Sequence, residues 1–272
     1  MSRPAVQASD RLAPIVDELV RALHRAVAEH QVTEPEWRQA LAFLTELGTA
    51  DEWVLLSDVL GISVAVDNNT YRQEGDETPS NVQGPYYRPG APLVSPPVSL
   101  GRDDEPGDPC FVAGRVLAAG DHRPLAGALL DIWQTNHAGL YDHEDPSQPE
   151  WNLRRRFHAG EVGGYELRTV VPGPYEIPKH GPVGRLLAAV GRHAWRPAHF
   201  HVKVSADGFQ PLTTMIYFEG DPWLHDDTIS SVKPGLVIPL AKHDQPDRLR
   251  ARGLDRPFYT GAFDFVLKPT RR

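Results

Sequence analysis

The segment Arg196-Pro197-Ala198-His199-Phe200-His201-Val202-Lys203-Val204 sets two histidines two residues apart in a run that reads as a β-strand. Side chains alternate along a strand, so both imidazoles face one side. Two neutral imidazoles on one face can share a metal ion. Upstream, two tyrosines sit in glycine- and proline-punctuated loops, Gly139-Leu140-Tyr141-Asp142 and Gly173-Pro174-Tyr175-Glu176-Ile177-Pro178. With the histidines they would offer two nitrogen and two phenolate-oxygen donors, a set suited to a hard, highly charged ion.

A histidine couplet on a strand is also compatible with a pair of satisfied or surface histidines, and a tyrosine in a Gly/Pro turn is ordinary. What favours the metal is the combination: the couplet, Arg196 three residues before it, two loop tyrosines and no competing cysteine site. A cupin-type Fe(II) or Zn(II) site also uses such a couplet. Its usual glutamate a few residues on is missing, because Val202, Lys203, Val204, Ser205 and Ala206 follow.

The elements that must carry these side chains change character near residue 75. Leu12, Ile15, Val16, Leu19, Leu23 and Val27 recur at spacings of three and four, which predicts one apolar helix face. Thr33-Glu34-Pro35-Glu36 reads as a capping box opening a second helix through Trp37, Leu41, Leu44 and Leu47 before Gly48. A third helix is expected from Asp51 through Leu55, Leu56, Leu60 and Val64. Three such helices must rest their apolar faces on each other, on the rest of the chain or on a second subunit. A dimer contact is the favoured expectation, and a lid on the chain's own β domain is the alternative.

From about residue 109, strand signals separated by turn residues dominate: 111–117, 121–127, 128–133, 165–170, the couplet, 212–218 and 263–267. No helix alternates with them, which argues against a parallel α/β sheet. The expected fold is mainly β with an α-helical N-terminal segment, residues 1–75. Residues 76–272 would form an antiparallel β-sandwich catalytic domain. Its loops could gather ligands at one edge.

Composition narrows the class. The 272 residues are 40% apolar and 24% charged, as in a globular chain. The net charge of −8 and the lack of a long basic stripe speak against nucleic acid. No apolar run reaches 18 residues, so no membrane span is expected. Residues 1–5 lack the apolar core of a secretory signal, and Cys110 is the single cysteine, so a cytoplasmic location is expected. The run Arg154-Arg155-Arg156 reads as solvated surface in a loop, with no assigned role.

Several ordered motifs resemble the intradiol ring-cleavage dioxygenases. They are Asn81-Val82-Gln83-Gly84-Pro85-Tyr86-Tyr87, Gly114-Arg115-Val116 with Gly127-Ala128, Trp133-Gln134 followed by Gly139-Leu140-Tyr141, and Asn152-Leu153-Arg154. Pro174-Tyr175-Glu176-Ile177-Pro178, Gly191-Arg192-His193, the couplet segment and Leu212-Thr213-Thr214 continue the likeness over most of the chain. Leu55-Leu56-Ser57-Asp58-Val59-Leu60-Gly61 carries aspartate where catechol 1,2-dioxygenases typically have proline. With Gly181-Pro182-Val183-Gly184, it is similar to the hydroxyquinol 1,2-dioxygenase branch.

The resemblance implies a non-haem Fe(III) bound by Tyr141, Tyr175, His199 and His201. The substrates would be a small aromatic diol and O2, and the products of the maleylacetate or muconate type. It further implies that Tyr175 leaves the metal and takes a substrate proton, while Arg196 stabilises developing negative charge. A structural salt bridge is the alternative role for Arg196. Leu55, Asp58, Val82, Gly84, Pro85, Tyr86, Ile177 and Pro178 would line the pocket. There Asp58 would accept a hydrogen bond from a third ring hydroxyl, or merely cap a helix turn. Met215 stands where catechol-type relatives usually carry glutamine, and it cannot donate that amide's hydrogen bond. A homodimer through the N-terminal helices is implied, with a lipid between them as a further ligand. A catechol or chlorocatechol enzyme is the nearer alternative. A non-catalytic transthyretin-like module would share the Gly114 to Ala128 stretch.

Overall fold

The computed structural model describes residues 10–270, so the expectation about residues 1–5 lies outside the described residues. The chain divides into two compact units, one ending at Asp51 and the other beginning at Glu52.

The first unit holds helices α1 (Leu12–Glu29) and α2 (Glu34–Ala50). Helix α2 starts as its sequence predicts: the backbone N–H and hydroxyl of Thr33 both donate to the Glu36 carboxylate, at 2.8 and 2.7 Å. It ends at Asp51, whose φ of 56° is left-handed. The periodic residues of α1 remain exposed, Leu19 and Leu23 at 59% each.

The second unit opens with α3 (Trp53–Val59) and α4 (Ile62–Thr70). One continuous third helix was expected; the chain breaks at Gly61, whose φ of 69° cannot continue a right-handed helix. Strands β1 (Val98–Ser99), β2 (Pro109–Ala118), β3 (Leu129–Gln134), β4 (Arg154–His158), β5 (Gly164–Val170) and β6 (Tyr175–Glu176) follow. After α5 (Pro182–Ala189) come β7 (Trp195–Arg196), β8 (His199–Ser205), β9 (Leu212–Phe218), β10 (Val237–Ile238) and β11 (Ala241–His243). Helix α6 (Pro246–Ala251), β12 (Phe258–Ala262) and β13 (Phe265–Leu267) complete the described fold.

Two sheets enclose the core. One runs β1-β5-β2-β12-β11 with β13 also on β2, the other β10-β9-β8-β3-β4, and a small β6-β7 ribbon stands apart. The long pairs β2·β5, β3·β4, β3·β8 and β8·β9 are antiparallel, as expected. The pairings β1·β5, β10·β9, β12·β2 and β13·β2 are parallel, so the sandwich is mixed. Residues 121–127, the Asp-, Pro- and Gly-bearing stretch between the first two expected strands, form a turn that touches β2 through the bridge Leu117–Pro124. The run 154–156, expected as solvated loop, is β4; Arg154 is 1% exposed and Arg155 and Arg156 are half-buried. Arg154 shares the sheet face of Trp133 and His201, away from the core, and is buried there by the segments that carry Tyr86 and Asp142.

Phe200, Val202 and Val204 of β8 join Leu130, Ile132, Ile216, Val112, Leu167 and Phe265 in the core between the sheets. Each such buried side chain contributes roughly 1.5–3 kcal/mol. Alternation therefore turns His199 and His201 to the opposite face, beside their register partners Tyr217 and Met215. Among the described residues, no helix is long and apolar enough to cross a membrane.

Candidate metal centre

The face of the β8 sheet turned away from the core carries the couplet, and residues 81–87 lie across it. Asn81 N–H donates to Thr213 O at 2.8 Å, and Tyr87 OH donates to Asp131 Oδ2 at 3.1 Å. Both couplet histidines are buried, at 2% and 1% exposure. His199 Nδ1 donates to Pro197 O at 2.7 Å, which leaves Nε2 of the neutral ring as a lone pair. That nitrogen lies 3.1 Å from His201 Nε2. Burial and then the Arg196 charge push His199 down to about 3. Burial, His199 and the charges of Arg196 and Arg154 push His201 well below its ordinary value. Two uncharged imidazoles thus face one point, and neither can be relieved by taking a proton.

The tyrosine loops interlock against them. Gly139 holds a φ of 81°, and a Cβ there would fall 2.4 Å from Pro174 O and 3.2 Å from Tyr175 Cβ, so only glycine lets the two turns meet. Tyr175 then enters β6, opposite Arg196 of β7. The rings of Tyr141 and Tyr175 stand 5.7 Å apart, those of Tyr175 and His199 5.6 Å, and those of the two histidines 4.7 Å. Tyr141 OH is buried with no hydrogen-bond partner among the described residues. Burial, with Tyr175 close by, raises the Tyr141 phenol well above its ordinary value.

These donors fit a cation. A buried phenol oxygen without a partner is costly in a protein interior, and a metal ion facing the imidazole nitrogens would satisfy it while removing the phenol proton. Among the described residues no group of three or more His, Cys, Asp and Glu is gathered for a metal, and the oxygen atoms set beside the couplet are those of the two phenols.

Arg196 sits at the centre, 3% exposed. Its Nη1 donates to Tyr175 OH at 3.1 Å and lies 3.3 Å from His199 Nε2. Nε faces Asp227 Oδ1 at 3.2 Å, and Nη2 donates to Ser231 Oγ at 2.8 Å. Burial works against the guanidinium charge, but Tyr175 and Asp227 hold it firmly on. The salt bridge read as its alternative role is present, with Asp227, and Nη1 remains beside Tyr175 and His199. Met215, 0% exposed, accepts from Tyr217 OH at 3.0 Å and from Arg196 Nη2 at 3.4 Å. The methionine is an acceptor on that wall, where an amide would also have donated.

Of the expected pocket residues, Gly84 lies against the couplet: a Cβ built on it would lie 3.3 Å from His201 Cε1. The Tyr86 ring is 4.7 Å from Tyr141 and 6.3 Å from Tyr175. Val82 packs with Met215 and Tyr217. Asp58 on α3 is 4% exposed. Burial pushes its carboxyl up, against the Ser63 hydroxyl and the Arg196 charge. Leu55, half-buried, precedes it by one helix turn, and Ile177 is 4% exposed. Pro85 and Pro178 are exposed neighbours of Tyr86 and Ile177.

Sequence reasoning missed Asp227, Ser231 and Tyr217, which hold Arg196, and gave no role to Trp133, whose ring stacks on His201 at 4.7 Å and 2°. The first two lie in an irregular loop with no periodic signal. Trp133 was within reach, since it opens the Trp133-Gln134 motif on the strand beside the couplet.

Comparison with known proteins agrees along the chain. A family model described as "Dioxygenase" matches residues 82–269, and one described as "Catechol dioxygenase N terminus" matches residues 9–78. Hydroxyquinol 1,2-dioxygenase of Rhizobium sp. (strain MTP-10005) is 40% identical over 264 residues, 94% of this chain and 89% of the relative. Chlorocatechol 1,2-dioxygenase of Rhodococcus opacus is 39% identical over 87% of this chain and 93% of its own. The crystal structure of hydroxyquinol 1,2-dioxygenase from Pseudomonas putida DLL-E4 superposes with a TM-score of 0.87 at 38% identity, covering 97% of this chain and 94% of that one.

Proposed function

We propose a metal and a substrate for a chain that belongs to the intradiol ring-cleavage dioxygenases, enzymes that open an aromatic diol between its hydroxyl-bearing carbons with both atoms of O2. The metal is a non-haem Fe(III) held by Tyr141, Tyr175, His199 and His201. The observation that carries it is the convergence of two phenols and two neutral imidazoles in one buried place, with Tyr141 OH otherwise unpaired. Ferric iron there would act as a Lewis acid on both oxygens of a chelated diol and ease the loss of their protons.

The chain's own groups complete the reaction. Tyr175, a phenolate when it holds the ion, would take a substrate proton on that oxygen and become a phenol, while Tyr141, fixed by the Gly139 turn, stays in place. Arg196 Nη1 orients the Tyr175 oxygen and faces the negative charge that develops on the ring. Tyr86, Val82, Gly84, Ile177 and Leu55 shape the apolar walls, with Pro85 and Pro178 at their outer ends.

Hydroxyquinol is the proposed substrate. A buried Asp58 carboxyl under the influence of Arg196 supports it, because a third ring hydroxyl would supply the donor that a plain catechol lacks. Catechol and chlorocatechols are the alternative substrates. Oxygen uptake with hydroxyquinol, catechol, chlorocatechols and protocatechuate in parallel tests the choice. Hydroxyquinol is expected to give the highest kcat/KM, and a profile led by catechol would overturn the assignment.

Residues 1–75 are proposed as a dimerisation segment, with 76–272 as the catalytic part. The exposed apolar residues of α1 and α2 support a second copy as their partner, and the groove lined by Leu23, Val27, Val32 and Trp37 would admit a lipid chain. A cytoplasmic location is supported by Cys110, the single cysteine of these 272 residues, which is buried as a free thiol.

A further inference from the structure

Arg154 belongs to a basic run that reads as surface, yet it is one of the most deeply buried side chains, 1% exposed. Its Nη1 donates to Tyr86 O at 2.7 Å, and its Nε donates to Asp142 Oδ1 at 2.6 Å. Asp142 directly follows Tyr141 in the chain. On β4 Arg154 pairs in register with Trp133, the residue stacked on His201. One guanidinium therefore ties together the Tyr141 turn, the Tyr86 wall and the strand beside the couplet.

Its charge is only partly cancelled. The Asp142 carboxylate, fully buried, also accepts from Arg88 Nη1 at 2.7 Å, so two arginines share one acid. Glu150, which pairs with Arg88, is 70% exposed and screened by water. The Arg154 guanidinium carbon lies 5.4 Å from the centre of the Tyr141 ring, within the range at which a cation is drawn to an aromatic face. Its Nη2 has no hydrogen-bond partner among the described residues. A side chain needed only to fill space would do so more cheaply if apolar, since a buried ion pair often contributes no net stability.

We propose that Arg154 is a positioning residue for the metal centre: its fork pins the Tyr141 turn, and its charge on the ring face lowers the energy of the electrons that Tyr141 presents to the metal. The inference rests on the ferric reading above. It makes separate predictions for the fork and the charge. Arg154→Met keeps length and loses both, whereas Arg154→Lys keeps the charge and loses the planar fork.

The test loads parent and variant proteins with ferric iron and records the visible absorption band, the rate of iron loss to a chelator, and kcat and KM. Melting of the iron-free proteins is followed alongside. Arg154→Met is expected to move the tyrosinate-to-iron band to longer wavelength and to release iron about 10- to 100-fold faster, the usual cost of losing a ligand's supporting partner. Its kcat should fall while KM holds. Arg154→Lys is expected to keep the parent band but to release iron faster. Folded variants with the parent band and parent release rate would overturn the inference, even if their iron-free melting falls. Should Arg154→Met not fold, a parent-like release rate in Arg154→Lys overturns it alone. A colourless parent protein carrying iron would overturn the ferric tyrosinate reading, and this inference with it.

Discussion

Arg196 divides its guanidinium between two neighbourhoods. Nε and Nη2 meet Asp227 and Ser231, and Nη1 is left for Tyr175 and His199. The burial that makes its charge expensive is offset by Asp227, whose own carboxyl is held low, against its burial, by that same charge. On the proposed reading, substrate choice turns on Asp58. Replacing it in Asp58→Ala is expected to cut kcat/KM for hydroxyquinol about 10- to 100-fold, the worth of one hydrogen bond to a charged group, with catechol little affected. Parallel oxygen-uptake assays check this, and equal losses on both substrates would mean that Asp58 does not read the third hydroxyl. At this scale the donors and Arg196 were legible because local motifs carry them: alternation for the histidines, Gly/Pro turns for the tyrosines. Asp227, Ser231 and Tyr217 were not, because they reach Arg196 across 21 residues or more, as the hydrogen-bond separations of 31, 35 and 21 show. Arg154 was misread because the segments that bury it, around Tyr86 and Asp142, lie away from it in the sequence.

The elements place the donors through a few tight constraints. Strand β8 presents the couplet because its other face is committed to the core, and a slip by one residue would bury Lys203 in place of Val202 or Val204. The tyrosine turns depend on Gly139. In Gly139→Ala the new methyl would collide with Pro174 O, so the loops must separate. The expected result is a lower melting temperature together with weaker iron retention, measured by calorimetry and metal analysis; a variant that retains iron like the parent would show that the contact is dispensable. Helices α1 and α2 followed from their three-four spacing and capping box, and β9 from its apolar run. The break at Gly61 was missed because the apolar pattern continues through it. The parallel partners β12 and β13 were hidden for a different reason: strand direction depends on how the chain returns, which a short local pattern does not encode.

For the whole molecule, the apolar face of α1 is the outstanding feature. Leu12, Ile15, Val16, Leu19, Val20, Leu23 and Val27 are each more than 40% exposed, an unusual amount of contiguous apolar surface to leave in water. A dimer through this face predicts that sedimentation velocity finds a dimer for the parent chain and a monomer for the double variant Leu19→Glu, Leu23→Glu. A monomeric parent at micromolar concentration would remove the dimer from the account. Why this remained open in the sequence is physical: an amphipathic stripe states that a partner is needed, and says nothing about which surface provides it.

The central claim is a ferric ion gripped by Tyr141, Tyr175, His199 and His201, and the visible absorption spectrum of the iron-loaded protein tests it most directly. The account predicts a broad tyrosinate-to-iron band that makes the protein red to burgundy and that changes in Tyr175→Phe. A protein carrying one iron per chain but colourless, or one whose spectrum is indifferent to Tyr175→Phe, would contradict it.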